Sequence, residues 1–301
     1  MKSGYVAVIG RPNVGKSTLI NALLGQKVAA VSSKAQTTRR QQLGILTRGD
    51  AQFIFVDTPG LHEARHKLGE ILNQQAEDAL DHVDAILWMV SLAEAPTPDD
   101  LRIAAYLAQL KRRAALILAA NKLDLVPPDE LPAKIAQYAN LVSNSEIVPI
   151  SAARSLGLGA LLDALLVHLP EREADYDPEQ VTDYYERDIA AELIREACLT
   201  HLRDEIPHGV HVRMDEFTER GEAGAYIAAT IFVERESQKA IVIGEGGQML
   251  KKIGIHARKE IEAMSGRKVH TELRVKVLKD WRDNAEYLRR FGFKLEKKKR
   301  R

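Results

Sequence analysis

Between residues 5 and 150, short apolar runs alternate with stretches in which apolar positions recur every third or fourth residue. That rhythm predicts parallel strands joined by crossover helices. Residues 5–9, 53–56, 85–90, 115–120 and 146–150 read as strands, and 42–47 as a further strand at an edge. Helices are expected over 16–24, 99–110, 129–141 and 158–168. The sum is an α/β domain with a doubly wound, mostly parallel sheet, whose ligands bind beyond the carboxyl ends of the strands.

The rhythm breaks after residue 168. Residues 169–183 carry Pro170 and Pro178 among acidic side chains and little periodicity, which marks a connection between domains. We therefore expect a first domain over 1–170, a linker over 171–183 and a second domain over 184–301. In the second, 189–202 reads as a helix, 208–217 and 225–234 as strands around a hairpin turn at 219–224, 248–264 as a helix after a glycine turn, 269–277 as a strand and 281–290 as a final helix. That mixture is α+β.

Composition adds bounds. The chain has 301 residues, 45% hydrophobic and 28% charged, enough for two self-sufficient cores. A single cysteine, Cys198, rules out an internal disulfide framework; it falls in an apolar helical pattern and reads as a small core residue. No apolar run approaches the roughly 20 residues of a spanning helix, and the apolar start runs into Arg11 and a glycine loop rather than a cleavage site. A cytoplasmic monomer is expected. The net charge of +1 hides an asymmetry: residues 239–301 hold 19 Lys and Arg against 8 Asp and Glu, a surplus of 11, so residues 1–238 carry a deficit of 10. A basic second domain points to a polyanionic partner, nucleic acid or an anionic membrane surface, or else to a solvated basic face.

The chemistry is concentrated in loops that follow predicted strands. Gly10-Arg11-Pro12-Asn13-Val14-Gly15-Lys16-Ser17 fits the phosphate-loop pattern, between a strand and a helix where its mechanism needs it. Backbone N–H groups from Gly10 through Val14 and Gly15 to Thr18 would cradle phosphates at a helix N-terminus. Lys16 would reach the β- and γ-phosphates and the Ser17 hydroxyl a Mg²⁺ ion. Asp57-Thr58-Pro59-Gly60 would bring a carboxylate beside that ion, through water, and the Gly60 N–H beside the γ-phosphate. Asn121-Lys122-Leu123-Asp124 supplies a carboxylate, Asp124, able to accept from the N1–H and N2–H₂ edge of guanine, which adenine does not offer. Ser151-Ala152 adds an N–H at Ala152 for the guanine O6. The nucleotide is therefore GTP, hydrolysed to GDP. Leu61 stands where a water-positioning glutamine is found in Ras-like enzymes, so slow intrinsic turnover is expected. His62 and His66 read as solvated loop histidines.

The wording of these loops, together with Lys34-Ala35-Gln36-Thr37-Thr38-Arg39, resembles the Era family of GTPases. That resemblance implies that Thr38, rather than Thr37, closes on Mg²⁺ and the γ-phosphate, and that Asn13 holds a K⁺ ion, as in potassium-stimulated relatives. Ile241-Val242-Ile243-Gly244-Glu245-Gly246-Gly247, followed by Leu250-Lys251-Lys252-Ile253-Gly254 and Ala257-Arg258, is similar to the KH module of that family, of type II. Gly244, Gly247, Lys251, Lys252 and Arg258 are then the candidate RNA contacts, and the acidic Glu245 departs from the basic residue often found between such glycines. The resemblance implies a switch that binds small-subunit (16S) rRNA near its 3′ end and acts in assembly of the 30S ribosomal subunit. The basic end, 294–301, is a solvated tail or an auxiliary contact for rRNA or the inner face of the cell membrane. A tRNA-modifying GTPase would need a catalytic cysteine near the C-terminus, and no second phosphate loop is present.

Overall fold

The computed structural model describes residues 1–32, 34, 38–110, 114–142, 145–221 and 224–295. Ala35 to Thr37 of the predicted 34–39 loop, the tip of the 219–224 turn and residues 296–301 of the basic end lie outside the described residues. The chain divides into two compact units: Met1–Ala29, Thr38–Glu63 and Leu72–Asp183 in the first, and Ala30–Thr37, Ala64–Ile71 and Tyr184–Arg301 in the second.

The first unit is built on a six-stranded sheet of β1 (Lys2–Ile9), β2 (Gln42–Arg48), β3 (Ala51–Asp57), β4 (Ala85–Ser91), β5 (Ala115–Asn121) and β6 (Glu146–Pro149), in the order β2-β3-β1-β4-β5-β6. Only the β2–β3 pair is antiparallel. The unit's helices are α1 (Lys16–Leu24), α3 (Pro98–Gln109), α4 (Leu131–Ala139), α5 (Leu158–His168) and, from Leu72 on, α2 (Lys67–Asp78), whose start falls in the second unit. The strands read as runs rather than alternations because both faces of the sheet are covered. Val6 and Val8 of β1 pack into one apolar layer with Leu19, Phe53, Phe55 and Leu165, while Ala7 and Ile9 enter the opposite layer with Trp88, Leu107 and Tyr138.

Helix α2 has no counterpart in the sequence-based expectation. Its signal is periodicity alone: Leu68, Leu72 and Ala76 are spaced by four and buried, but no capping side chain precedes them and Gly69 weakens the first turn. The start of α3, by contrast, is fixed by Thr97, whose side chain accepts from the Asp100 N–H in a capping box, with Pro98 in the first turn.

Residues 171–183 belong to the first unit: Glu171 bridges Lys2 of β1, and the end of the segment, 181–183, lies along the edge of β2. The Ile45 N–H donates to the Val181 carbonyl at 2.9 Å and the Leu43 N–H to the Asp183 carboxylate at 2.8 Å. The Gln52 side chain accepts from the Asp175 and Tyr176 N–H groups and donates to the Tyr176 carbonyl.

In the second unit, β7 (His211–Glu219), β8 (Ala225–Val233) and β9 (Val269–Val277) form a sheet in that order, β7 antiparallel and β9 parallel to β8. One face is covered by α6 (Glu186–His201) and α8 (Gln248–Ser265), and α7 (Glu236–Ile243) and α9 (Ala285–Arg290) complete the unit. Cys198 is buried in this core with Ile194, Ile227 and Ile253, and burial pushes its thiol up to about 12. Two predicted boundaries shift. Pro207 turns residues 207–209 into a 3₁₀ turn, so β7 begins at His211. The last helix begins at Ala285 rather than Trp281, because Asn284 caps it by accepting from the Glu286 and Tyr287 N–H groups, and Trp281 is buried with its indole N–H on the Gly209 carbonyl.

Candidate functional site

The loops of the first unit converge where β1, β3, β4 and β5 end. Between β1 and α1 the backbone winds through three positive φ values, 152° at Gly10, 66° at Asn13 and 104° at Gly15. A Cβ on Gly10 would lie 2.5 Å from the Met89 carbonyl oxygen, and one on Gly15 would lie 2.4 Å from the Asn121 amide nitrogen, so glycine is required at both places. Gly60 has a third reason to lack a side chain: a Cβ there would meet the Pro12 nitrogen at 2.9 Å. Val14 is fully buried beneath the loop and Asn13 is exposed on it.

Three oxygens meet at the start of α1. Ser17 Oγ donates to Asp57 Oδ2 at 3.1 Å, Thr38 Oγ1 to the same oxygen at 3.2 Å, and the two hydroxyls are 3.0 Å apart. Asp57 Oδ1 is buried and has no hydrogen-bond partner among the described residues. Two hydroxyls and a carboxylate with an unused oxygen are the hard donors that Mg²⁺ takes, with its remaining positions left to water and phosphate. The residues present fit that ion. Among the described residues there is no cluster of three His, Cys, Asp or Glu side chains that would suit another metal.

Lys16 lies across the mouth of the loop, its ammonium donating to the carbonyls of Gly10 at 3.0 Å and Arg11 at 3.1 Å. Burial lowers its pKa to about 8 and raises that of Asp57 to about 6, with each partly offset by the other's charge. Both shifts mark buried charges rather than charges at a solvated surface.

Asn121 and Asp124 are fixed differently. The Asn121 amide donates to the Val14 carbonyl at 2.7 Å and accepts from the Ala152 N–H at 2.9 Å. It ties the phosphate loop to the Ser151-Ala152 loop. The Ala152 N–H, expected from the sequence to meet guanine O6, donates instead to Asn121. The Ser151 hydroxyl donates to Asp124 Oδ1 at 2.5 Å and so orients the carboxylate. Lys122 turns the chain between them with φ of 66°. Thr18 is half-buried in the first turn of α1. His62 is engaged by its own loop: its Nδ1 lies 2.8 Å from the Gly60 carbonyl oxygen, and Asn73 holds its backbone on both sides. His66 pairs with Asp283 at 2.9 Å.

In the second unit, α7 ends at Gly244, with φ of 73°, and α8 starts after Gly247, with φ of 79°. A groove of about 360 Å³ opens beside this turn, lined by Gly247, Leu250, Lys251, Gly254, Ile255, Arg258, Thr271 and Leu273. Of the five residues singled out from the sequence, Gly247, Lys251 and Arg258 line it. Gly244 and Lys252 do not; Lys252 lies on the side of α8 near His201. Leu250, Gly254 and Ile255 were legible as the stripe completed by Lys251 and Arg258 on one helix face.

Comparison with known proteins decides the family. A model described as a 50S ribosome-binding GTPase matches residues 5–122, and a KH domain model matches residues 205–282. The crystal structure of a variant of Era from Aquifex aeolicus bound to GDP·AlF₄⁻ is 40% identical, with a TM-score of 0.91, over 98% of this chain and 100% of that one. The chain belongs to the Era family. A second Era structure, in complex with MgGDPNP and nucleotides 1506–1542 of 16S ribosomal RNA, is also 40% identical, with a TM-score of 0.90 over the same shares. As an Era-family protein the chain is a GTPase, with a P-loop domain on a mostly parallel sheet followed by a KH domain.

The sequence reading missed one group in the Era-family nucleotide domain. Arg11 is the variable second residue of the phosphate loop, yet its guanidinium is clamped between Glu94 and Asp100. Neither carboxylate lies in a recognised loop, so nothing in the motif points to them.

Proposed function

We propose that this protein is a GTP-driven switch that holds the 3′ region of small-subunit (16S) rRNA in the groove along α8 and acts in assembly of the 30S subunit. The observation that carries the reading is the groove itself, whose lining brings Leu250, Ile255 and Leu273 together with Lys251 and Arg258 beside a glycine turn. Such a surface suits unstacked bases and their phosphates. The 40% identical Era bound to a 16S rRNA fragment supports that choice of RNA. Glu245 keeps phosphate away from the turn, and the surplus of basic residues after 239 supplies attraction over a wider face. The basic end from Lys294 is an auxiliary contact for the same polyanion, or for anionic lipid at the inner membrane face. No described helix is long and apolar enough to cross a membrane.

At the nucleotide, backbone N–H groups from Asn13 to Thr18 would bind phosphate oxygens, Lys16 the β- and γ-phosphates, the Gly60 N–H the γ-phosphate, and Asp124 the guanine edge. Mg²⁺, held by Ser17 and Thr38 with Asp57 through water, would neutralise charge on the phosphate oxygens. Thr38 and Gly60 engage the γ-phosphate, so their loops are ordered with GTP and released with GDP. Leu61 packs against the apolar layer beneath the sheet and offers nothing to position water, so turnover is slow without help. Asn13, exposed and left-handed, would hold K⁺ beside the phosphates, where the ion would add positive charge in the transition state.

Crosslinking the protein to cellular RNA with and without a non-hydrolysable GTP analogue tests the reading. Recovery should be concentrated at the 3′ end of 16S rRNA and depend on the analogue. Recovery of chiefly tRNA or mRNA would overturn it.

A further inference from the structure

Arg11 is buried where a phosphate loop has no general need for a charged side chain. Its side chain is 11% exposed, with Nε on Asp100 Oδ2 at 3.0 Å and a terminal nitrogen 2.5 Å from Glu94 Oε1. Asp100 has no exposed surface and its Oδ2 also accepts from the Thr97 N–H at 2.9 Å and hydroxyl at 2.8 Å, so it is fixed at the N-terminus of α3. Glu94 sits on the loop after β4, and that loop is pinned from two sides. The Tyr138 hydroxyl donates to the carbonyls of Ser91 at 3.0 Å and Glu94 at 3.3 Å, and the Leu92 N–H donates to the Asn121 carbonyl at 2.8 Å. Asp100 is therefore immobile, whereas the Glu94 side chain is 47% exposed and is held by its anchored backbone and by Arg11.

The clamp acts on both ends of the nucleotide site. On the phosphate side, the Arg11 backbone carbonyl accepts from the Lys16 ammonium, so the position of Arg11 sets that of Lys16. On the base side, pairing with Arg11, aided by the charge of Lys122, lowers the pKa of the Glu94 carboxyl against the opposing effect of its partial burial. Burial alone would weaken the Arg11 charge, but Glu94 and Asp100 outweigh it and hold the guanidinium firmly protonated. We infer that Arg11, Glu94 and Asp100 form a positioning clamp that holds the phosphate loop at a fixed height relative to the Asn121-Lys122 loop and thereby retains bound guanine nucleotide. None of the three is placed to touch the reacting atoms. Their effect is on affinity and residence time, not on the chemical step.

The inference rests on the assignment of the nucleotide loops above, and the test separates the two. Glu94→Gln keeps size and leaves the Arg11–Asp100 pair intact, so the fold should melt within a few degrees of the native chain. Loss of this partly exposed ion pair should speed GDP release and raise KM for GTP by about two- to fivefold, with kcat at saturation changed less than about twofold. Arg11→Lys, which keeps the charge but cannot reach both carboxylates, should shift KM in the same direction, and Arg11→Met further than Arg11→Lys. Fluorescent GDP release and steady-state GTPase assays on the full chain read all three. Native GDP release and KM in both Glu94→Gln and Arg11→Lys would overturn the clamp, as would a fall in kcat with KM unchanged. Lys16→Ala serves as the control on the site: if it loses GDP while Glu94→Gln behaves as native, the clamp alone falls; if it binds GDP as the native chain does, the loop assignment falls with it.

Discussion

Replacing Asn121 with alanine should cost this protein most of its nucleotide affinity, although the loss begins inside the protein rather than at the ligand. The Asn121 amide makes two buried hydrogen bonds, to the Val14 carbonyl at 2.7 Å and from the Ala152 N–H at 2.9 Å, and Asn121 is 3% exposed. Truncation strands both backbone groups. At about 1–3 kcal/mol for each of the two buried groups left unpaired, the penalty on the binding-competent loops is about 2–6 kcal/mol. At about 1.4 kcal/mol per decade this is roughly a 30-fold to 20,000-fold loss of GDP affinity, less whatever the loops recover by relaxing. Gly15 provides the internal check. A Cβ there would sit 2.4 Å from the same amide nitrogen, so Gly15→Ala should break the same bond from the other side and add about 1–2 kcal/mol of strain from a positive φ. In an Asn121→Ala background the obstructing amide is gone, and Gly15→Ala should cost only the strain, about 5- to 30-fold. Calorimetric titration of GDP into the native chain, both single variants and the double variant would measure the cycle. Strictly additive losses, or near-native affinity in Asn121→Ala, would refute the reasoning.

Three further outcomes follow from particular contacts. Lys251 lines the RNA groove and Lys252 does not, so Lys251→Ala should weaken rRNA binding and reduce the salt slope by about one ion, while Lys252→Ala should leave the slope near native; filter binding over a salt series distinguishes them. Exchanging Na⁺ for K⁺ should raise the GTPase rate, and Asn13→Ala should abolish the difference, as measured by phosphate release. His201 is held below the ordinary histidine range by burial, then by His256, 2.9 Å away, and by Lys252. Its neutral form therefore favours the folded state: the contribution is fully present above about 6.5 and is lost as the pH falls from there through the lower folded-state value, because the unfolded chain takes up the proton first. Thermal melts from pH 8 to 5.5 should show a decline that is shallower in His201→Gln.

The nucleotide loops were legible because each is a local word in a required place, a glycine-rich or Asx-containing segment at the end of an apolar strand. What the words could not show is how they are tied together. Asn121 is visible in Asn-Lys-Leu-Asp, but its reach to Val14 and Ala152 depends on β5 lying in the same sheet as β1 and β6. Arg11 was hidden for the same reason, since its carboxylates come from Glu94 and Asp100, more than 80 residues away. Helix α2 escaped because a four-residue spacing of Leu68, Leu72 and Ala76 without a cap is a weak signal on its own. The late start of α9 could have been found, because Asn284 before an alternating helix pattern is a capping signal, and the bulk of Trp281 drew the boundary forward instead. Lys251 and Lys252 are adjacent in sequence, and only the rotation of α8 tells which faces the groove.

The segment over residues 171–183 sets where this protein can be cut. It satisfies the backbone of β2 at Leu43 and Ile45 and occupies the amide of Gln52, so the rim of the sheet is already taken. A fragment ended at residue 170 would bare a row of donors and acceptors able to recruit a strand from another molecule, and we expect it to aggregate. One ended after Asp183 should stay monodisperse and bind GDP. The acidic, proline-marked stretch that looks in sequence like slack between two domains serves as a selvedge, finishing the edge of the woven sheet so that it does not fray into its neighbours.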